Sequence, residues 1–229
     1  MAESVSFPVA PDTAGGYLAV PASGSGPGVI VVQEWWGLNP QIKGFADRLA
    51  GEGFVALAPD LYHGELAEHD EMDKAAHLMN TLPGDRAARD MLGAVDYLLA
   101  RDEVVGDKVG VVGFCMGGML SLILGAIGGD KIGAVAPYYG APVFGNAPDW
   151  SGLTAPVSGH FAEIDDFFKP DVVKAMEAEL RAMGKDVTLR VHDGAGHAFA
   201  NETDAMGSYN EDLAETCLAE TFAFLHKNL

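Results

Sequence analysis

Short apolar runs rich in β-branched residues alternate along this chain with longer segments whose apolar residues recur every three to four positions. The short runs read as buried strands: GVIVVQ (28–33), FVALAPD ended by Pro59, KVGVVGF (108–114), IGAVAPYYG (132–140), APVSGHFAE (155–163) and VTLRVHD (187–193). Between them lie helical patterns. NPQIKGFADRLAGEG carries Ile42, Phe45, Ala46 and Leu49 at helical spacing, and DRAARDMLGAVDYLLAR carries a stripe of Ala88, Met91, Leu92, Val95, Leu98 and Leu99. CMGGMLSLILGA, DVVKAMEAELRAMGK and NEDLAETCLAETFAFLHKNL complete the helices. SFPVA and YLAV, separated by TAGG, read as an antiparallel hairpin at a sheet edge. Strands that alternate with helices predict an α/β fold whose mostly parallel sheet is covered on both faces. No linker-like run or repeat divides the chain, so a single domain is expected over residues 1–229.

In sheets of this kind, reacting groups sit outside the carboxyl ends of the strands. Six loops follow apolar strands and hold the chain's unusual residues: QEWWGLN, PDLYHGE, GFCMGG, YYGAP, AEIDDFF and DGAGHAFAN. GFCMGG fits a strand–tight turn–helix, the Gly-x-Ser-x-Gly nucleophile elbow with cysteine in place of serine. Gly113 and Gly117 leave room for the chain to fold back at residue 115. A helix starting there points free N–H groups and its positive end at the sulfur, which favours thiolate. The Met116 N–H is then placed to receive an oxyanion. Without those neighbours, Cys115 would read as a small packed hydrophobe.

AEIDDFF supplies Asp165, with Asp166 as the neighbour able to replace it, and DGAGHAFAN supplies His197. Nucleophile, acid and histidine follow in the chain order of α/β-hydrolases. The base takes the nucleophile's proton, and the acid fixes the imidazole's tautomer. In QEWWGLN, Glu34 ends an apolar strand, a costly position for a carboxylate without a partner. It could pair with the thiol, the histidine, a substrate hydroxyl or a rim cation. Trp35 and Trp36 either wall an apolar pocket or pack under the loop, and the Trp35 N–H is a candidate second oxyanion donor. Tyr138 and Tyr139 end a strand, and one of them faces a substrate in this reading. Cys217, beside Leu213 and Leu218, reads as packing.

Charge and cysteine count narrow the partners. Fourteen basic against 33 acidic residues give a net charge of −19, which repels phosphate backbones and argues against nucleic acid. No apolar run approaches the roughly 20 residues needed to span a bilayer, and no membrane role is expected. MAESVSFPVAPDTAGGYLAV lacks the basic and apolar regions of a signal peptide. The expectation is therefore a cytoplasmic protein with Cys115 and Cys217 as free thiols. His192 and His197, five residues apart, are poorly spaced for one helix face, His192 falls within a strand, and no cysteine or carboxylate completes a recognisable zinc pattern. No metal or other cofactor is expected.

With these residues in view, the chain resembles the dienelactone hydrolase (carboxymethylenebutenolidase) family over nearly its whole length, through QEWWGLN, PDLYHGE, GFCMGG, AEIDDFF and AGHAFAN. The resemblance implies an eight-stranded α/β-hydrolase fold without a large lid, as a monomer or weak homodimer. It implies a triad of Cys115, His197 and Asp165, a resting thiol tuned by Glu34, and oxyanion donors at Met116 and Trp35. Its substrates are small esters and lactones, cleaved through a thioester. Dienelactone-specific members hold a substrate carboxylate with arginines, one of them at the end of GHxFAR. Here that position is Asn201, and HDEMDKAAHLM, which matches the segment of the other, has none; Lys74 and Arg86 are the basic residues at hand. Asn lacks the bidentate guanidinium fork, so neutral esters or lactones are expected to match or surpass carboxylate-bearing dienelactones. The same triad would also serve a thioesterase or acyl-transfer enzyme, and the fold would serve a non-catalytic ligand-binding relative.

Overall fold

The computed structural model describes residues 1–142 and 147–229. Eight strands form one sheet in the order β1-β2-β4-β3-β5-β6-β7-β8. The chain divides into two compact units, Met1–Gly110 with Leu229, and Val111–Asn228.

In the first unit, β1 (Ala2–Val9) and β2 (Asp12–Ala19) form an antiparallel hairpin. The hairpin was expected, but its turn lies at Ala10–Pro11, and TAGG belongs to β2. The reason is close approach. A Cβ at Gly16 would stand 2.9 Å from the Ala58 carbonyl oxygen and 3.0 Å from Leu57, so the glycine serves strand packing. β2 pairs antiparallel with β4 (Val55–Pro59), which runs parallel to β3 (Gly26–Val32).

Helix α1 (Pro40–Gly51) starts where Asn39 Oδ1 accepts the Ile42 N–H at 3.0 Å and Pro40 takes the first turn. Ile42, Phe45, Ala46 and Leu49 are all buried, the stripe its spacing predicts. α2 (Met72–Thr81) escaped the pattern reading because its buried side chains are few, Ala75 and Leu78. In α3 (Gly84–Leu99) the buried stripe is Ala87, Asp90, Met91, Ala94, Val95 and Leu98. Ala88, Leu92 and Leu99 flank that face and are only half-buried, while Asp90 takes a core position with its carboxylate 2.7 Å from His63 Nε2.

β5 (Val104–Phe114) crosses from the first unit into the second. Beyond it come α4 (Met116–Ile127), β6 (Ile132–Tyr138), β7 (Val157–Ile164), α5 (Pro170–Ala182), β8 (Val187–Gly196) and α6 (Glu211–Asn228). β6, β7 and β8 run parallel to one another in sequence order. α4 and α6 contact β6, while α5 contacts β7 and β8. Nine residues of α4 are buried, consistent with its apolar character all round. Three strand ends of this unit, those of β5, β7 and β8, therefore open onto the GFCMGG, AEIDDFF and GHAFAN loops.

Candidate active site

Cys115 occupies the single residue between β5 and α4. Its backbone has φ 54° and ψ −117°, a conformation that costs a non-glycine residue about 1–3 kcal/mol. Surrounding backbone holds it there. The Cys115 N–H donates to the Tyr138 carbonyl at 3.0 Å, and its own carbonyl accepts from Gly118 N at 2.9 Å and Met119 N at 3.2 Å. A Cβ at Gly113 would collide with the Gly117 carbonyl, and one at Gly140 with the Cys115 carbonyl. The elbow closes because both positions lack a side chain. Met116 is the first residue of α4 and is buried.

His197 follows the last residue of β8, and its Nε2 lies 3.2 Å from Cys115 Sγ. Its Nδ1 lies 2.8 Å from Asp165 Oδ2. Asp165 comes directly after β7 and is buried; its other oxygen, Oδ1, accepts the Phe167 N–H at 2.8 Å and the Phe168 N–H at 2.9 Å. Asp166 is exposed. The carboxylate thus accepts from Nδ1–H, which leaves Nε2 facing sulfur, able to take its proton.

Aromatic rings flank the imidazole: Phe167 at 4.8 Å between centroids, Tyr139 at 5.3 Å and Phe168 at 5.9 Å. The Ser208 hydroxyl donates to the His197 carbonyl. A cavity of about 530 Å³ opens beside the histidine, lined among others by Ile164, Asp166, Phe167, Met206 and Tyr209, with no lysine or arginine in its lining.

The remaining motif residues fall as follows. Glu34 is fully buried just past β3, and Trp35 is half-buried after it. Trp36 is buried, in edge contact with Trp35 at 5.4 Å and with His69 at 4.9 Å, so it packs under the loop. Tyr138 is fully buried with its hydroxyl 2.7 Å from Thr221 Oγ1 of α6; Tyr139, not Tyr138, lies against His197. Asn201 is buried, and its Oδ1 accepts from Thr203 N at 3.1 Å and Thr203 Oγ1 at 2.6 Å, so it stabilises its own turn. Lys74 pairs with Glu71 at 3.3 Å, and Arg86 donates to the Leu61 carbonyl at 3.2 Å. Sequence reasoning missed Ser208, which no motif marks, and it read Phe167 and Phe168 only as parts of a quoted loop.

The family model for the dienelactone hydrolase family matches residues 14–229. The chain belongs to the dienelactone hydrolase family. It is 39% identical over 211 residues to protein usf of Aquifex pyrophilus, covering 90% of this chain and 87% of that one. A candidate carboxymethylenebutenolidase of Aquifex aeolicus is 36% identical, with 82% of each chain covered. The crystal structure of a candidate dienelactone hydrolase from Klebsiella pneumoniae superposes with a TM-score of 0.86 at 29% identity, covering 99% of this chain and 98% of that one. Membership makes this chain a hydrolase of the lactone and ester class with an α/β-hydrolase fold. Among the described residues, no helix is long and apolar enough to cross a membrane.

Proposed function

We propose that this dienelactone hydrolase family member cleaves small neutral esters or lactones through a Cys115–His197–Asp165 triad. The observation that carries the reading is the 3.2 Å approach of His197 Nε2 to Cys115 Sγ, with Asp165 at 2.8 Å behind the ring. His197 takes the thiol proton as sulfur attacks the carbonyl carbon. The resulting oxyanion is held by the Met116 N–H at the start of α4. Collapse breaks the C–O bond, and His197 returns the proton to the leaving alkoxide. Water, deprotonated by His197, then attacks the Cys115 thioester, releasing the acid and restoring the thiol. A second oxyanion donor at Trp35 and a thiol-tuning role for Glu34 rest on the family resemblance.

The preference for neutral substrates follows from charge. Asn201 stands where dienelactone-specific members carry an arginine and its oxygen is committed to Thr203, while Lys74 pairs with Glu71 and Arg86 donates to the Leu61 carbonyl. Carboxylate recognition ordinarily uses a guanidinium or ammonium group.

The test is turnover of p-nitrophenyl acetate by wild type and Cys115→Ala, with intact-mass spectrometry on a quenched reaction. Wild type carries one acetyl group on Cys115 during turnover, and the variant neither carries it nor turns over. A Cys115→Ala protein that retains wild-type turnover refutes the mechanism. A higher kcat/KM for a dienelactone than for p-nitrophenyl acetate refutes the substrate preference alone.

A further inference from the structure

His160 on β7, His192 on β8 and Cys217 on α6 converge behind the triad's strand ends, with three ligand-type atoms within 4.8 Å of one another. His160 Nδ1 lies 3.0 Å from His192 Nε2, which lies 3.4 Å from Cys217 Sγ. His160 and Cys217 are fully buried. The contacts are hard to satisfy with protons alone. The lone pair of His192 Nε2, if unprotonated, accepts one good hydrogen bond, yet both His160 Nδ1 and Cys217 Sγ face it. If His160 Nδ1–H is the donor, His160 Nε2 is a bare buried acceptor. If His192 Nε2–H donates instead, His160 Nε2 carries a buried proton. Nε2 has no hydrogen-bond partner in either case, its nearest charged neighbour being Glu220 Oε2 at 4.0 Å. A buried unpaired polar atom is the kind of group that calls for an explanation.

We propose that His160 Nδ1, His192 Nε2 and Cys217 Sγ form a binding site for a single thiophilic cation, with Zn²⁺ as the fitting ion. Tetrahedral zinc bonds set nitrogen ligands about 3.3 Å apart and nitrogen and sulfur about 3.6 Å apart, within a few tenths of an ångström of the two separations at His192 Nε2; His160 Nδ1 and Cys217 Sγ, which share the 4.8 Å cluster, draw together by up to about an ångström on binding. Coordination removes the conflict at His192 Nε2, because both its neighbours then point lone pairs at the cation. It also fixes His160 as the Nε2–H tautomer, aimed towards the Glu220 carboxylate, the second-layer partner that metal-bound imidazoles usually have. The thiol proton leaves to solvent on binding, and the thiolate offsets half of the cation's double charge. Arg190, at 2.8 Å, already holds the same Glu220 oxygen in place. The cation would tie together β7, β8 and α6; β7 and β8 are the strands whose ends deliver Asp165 and His197. The three residues lie 32 and 25 positions apart, which is why no spacing motif announces them.

The test uses the full chain carrying Cys115→Ala, which leaves Cys217 as the sole thiol and removes any competing site at the triad. After chelation and desalting, the protein is titrated with Zn²⁺ and, separately, with Co²⁺. One equivalent of zinc is retained, Co²⁺ produces a near-ultraviolet thiolate-to-cobalt charge-transfer band, and Tm rises by roughly 5 °C or more once zinc is a hundredfold above Kd. Adding Cys217→Ser abolishes the band and lowers zinc affinity at least about tenfold. No charge-transfer band in the Cys115→Ala protein refutes the site without recourse to any variant of its ligands. Equal zinc uptake after Cys217→Ser refutes it as well.

Discussion

Replacing Asp165 by Asn probes the triad by changing one atom's chemistry while preserving its shape. In the native site, Oδ1 accepts two backbone N–H groups, from Phe167 and Phe168, while Oδ2 faces His197 Nδ1. The asparagine amide has one acceptor and one donor end. Placing its NH₂ against the two backbone N–H groups would set donor against donor twice, each unpaired buried donor costing about 1–3 kcal/mol. The oxygen therefore stays with Phe167 and Phe168, and the NH₂ donates to His197 Nδ1. That forces the imidazole into the Nε2–H tautomer, which aims a proton at Cys115 Sγ and cannot accept one. Loss of the correct tautomer costs a triad about 10⁴-fold in kcat, or ~5–6 kcal/mol. The local hydrogen-bond count is unchanged, so Tm moves by only a few degrees. The assay is kcat on p-nitrophenyl acetate, alongside a melting curve and the exposed neighbour Asp166→Asn as control. Asp165→Asn turnover within about tenfold of wild type, with the fold intact, refutes the tautomer argument. So does an Asp166→Asn loss as large as that of Asp165→Asn.

Two further perturbations probe the scaffold. Gly140→Ala sets a Cβ against the Cys115 carbonyl, 2.8 Å from Met119 N and 2.9 Å from Cys115 C, all backbone atoms of the elbow. It should lower kcat about 10²-fold or more and destabilise by about 1–3 kcal/mol, read by kinetics and urea unfolding; Gly44→Ala inside α1, with nothing within 4 Å, is the control that leaves kcat unchanged and stabilises by about 0.5–1 kcal/mol. Burial, aided by the His192 and Arg190 charges, holds the His160 pKa down at about 3, below its ordinary value of 6.5. The fold therefore refuses a proton that the unfolded chain accepts: this stability is present above about pH 6.5 and is lost as pH falls towards 3, by up to about 1.4 kcal/mol per unit. With chelator present, urea midpoints between about pH 7 and pH 5 should fall more steeply for wild type than for His160→Gln, and equal slopes contradict the assignment.

Much of the architecture was legible because it is local. Alternating apolar runs and helical stripes marked all eight strands near their observed places, and five of the six α-helices among the described residues. α2 was missed because two buried residues make too weak a stripe, and the hairpin turn was misplaced because glycines needed for packing resemble glycines needed for turning. Tyr138 shows the limit at the site. At the carboxyl end of a strand, adjacent tyrosines point to opposite faces, and only the packed α6 decides that Tyr138 turns to Thr221 while Tyr139 meets His197.

The amino-acid order by itself determined which loops hold a sulfur, a carboxylate and an imidazole, and that glycines flank the sulfur, since a tight elbow and strand periodicity depend on neighbours a few residues away. Tertiary structure alone decided that Asp165 rather than Asp166 reaches the ring, and that groups separated by 82 and 32 residues come within 3.2 and 2.8 Å. It decided equally that His160, His192 and Cys217 share one buried space. Such distances are set by the parallel register of β7 and β8 and by the packing of α6, which the chain's local pattern does not encode.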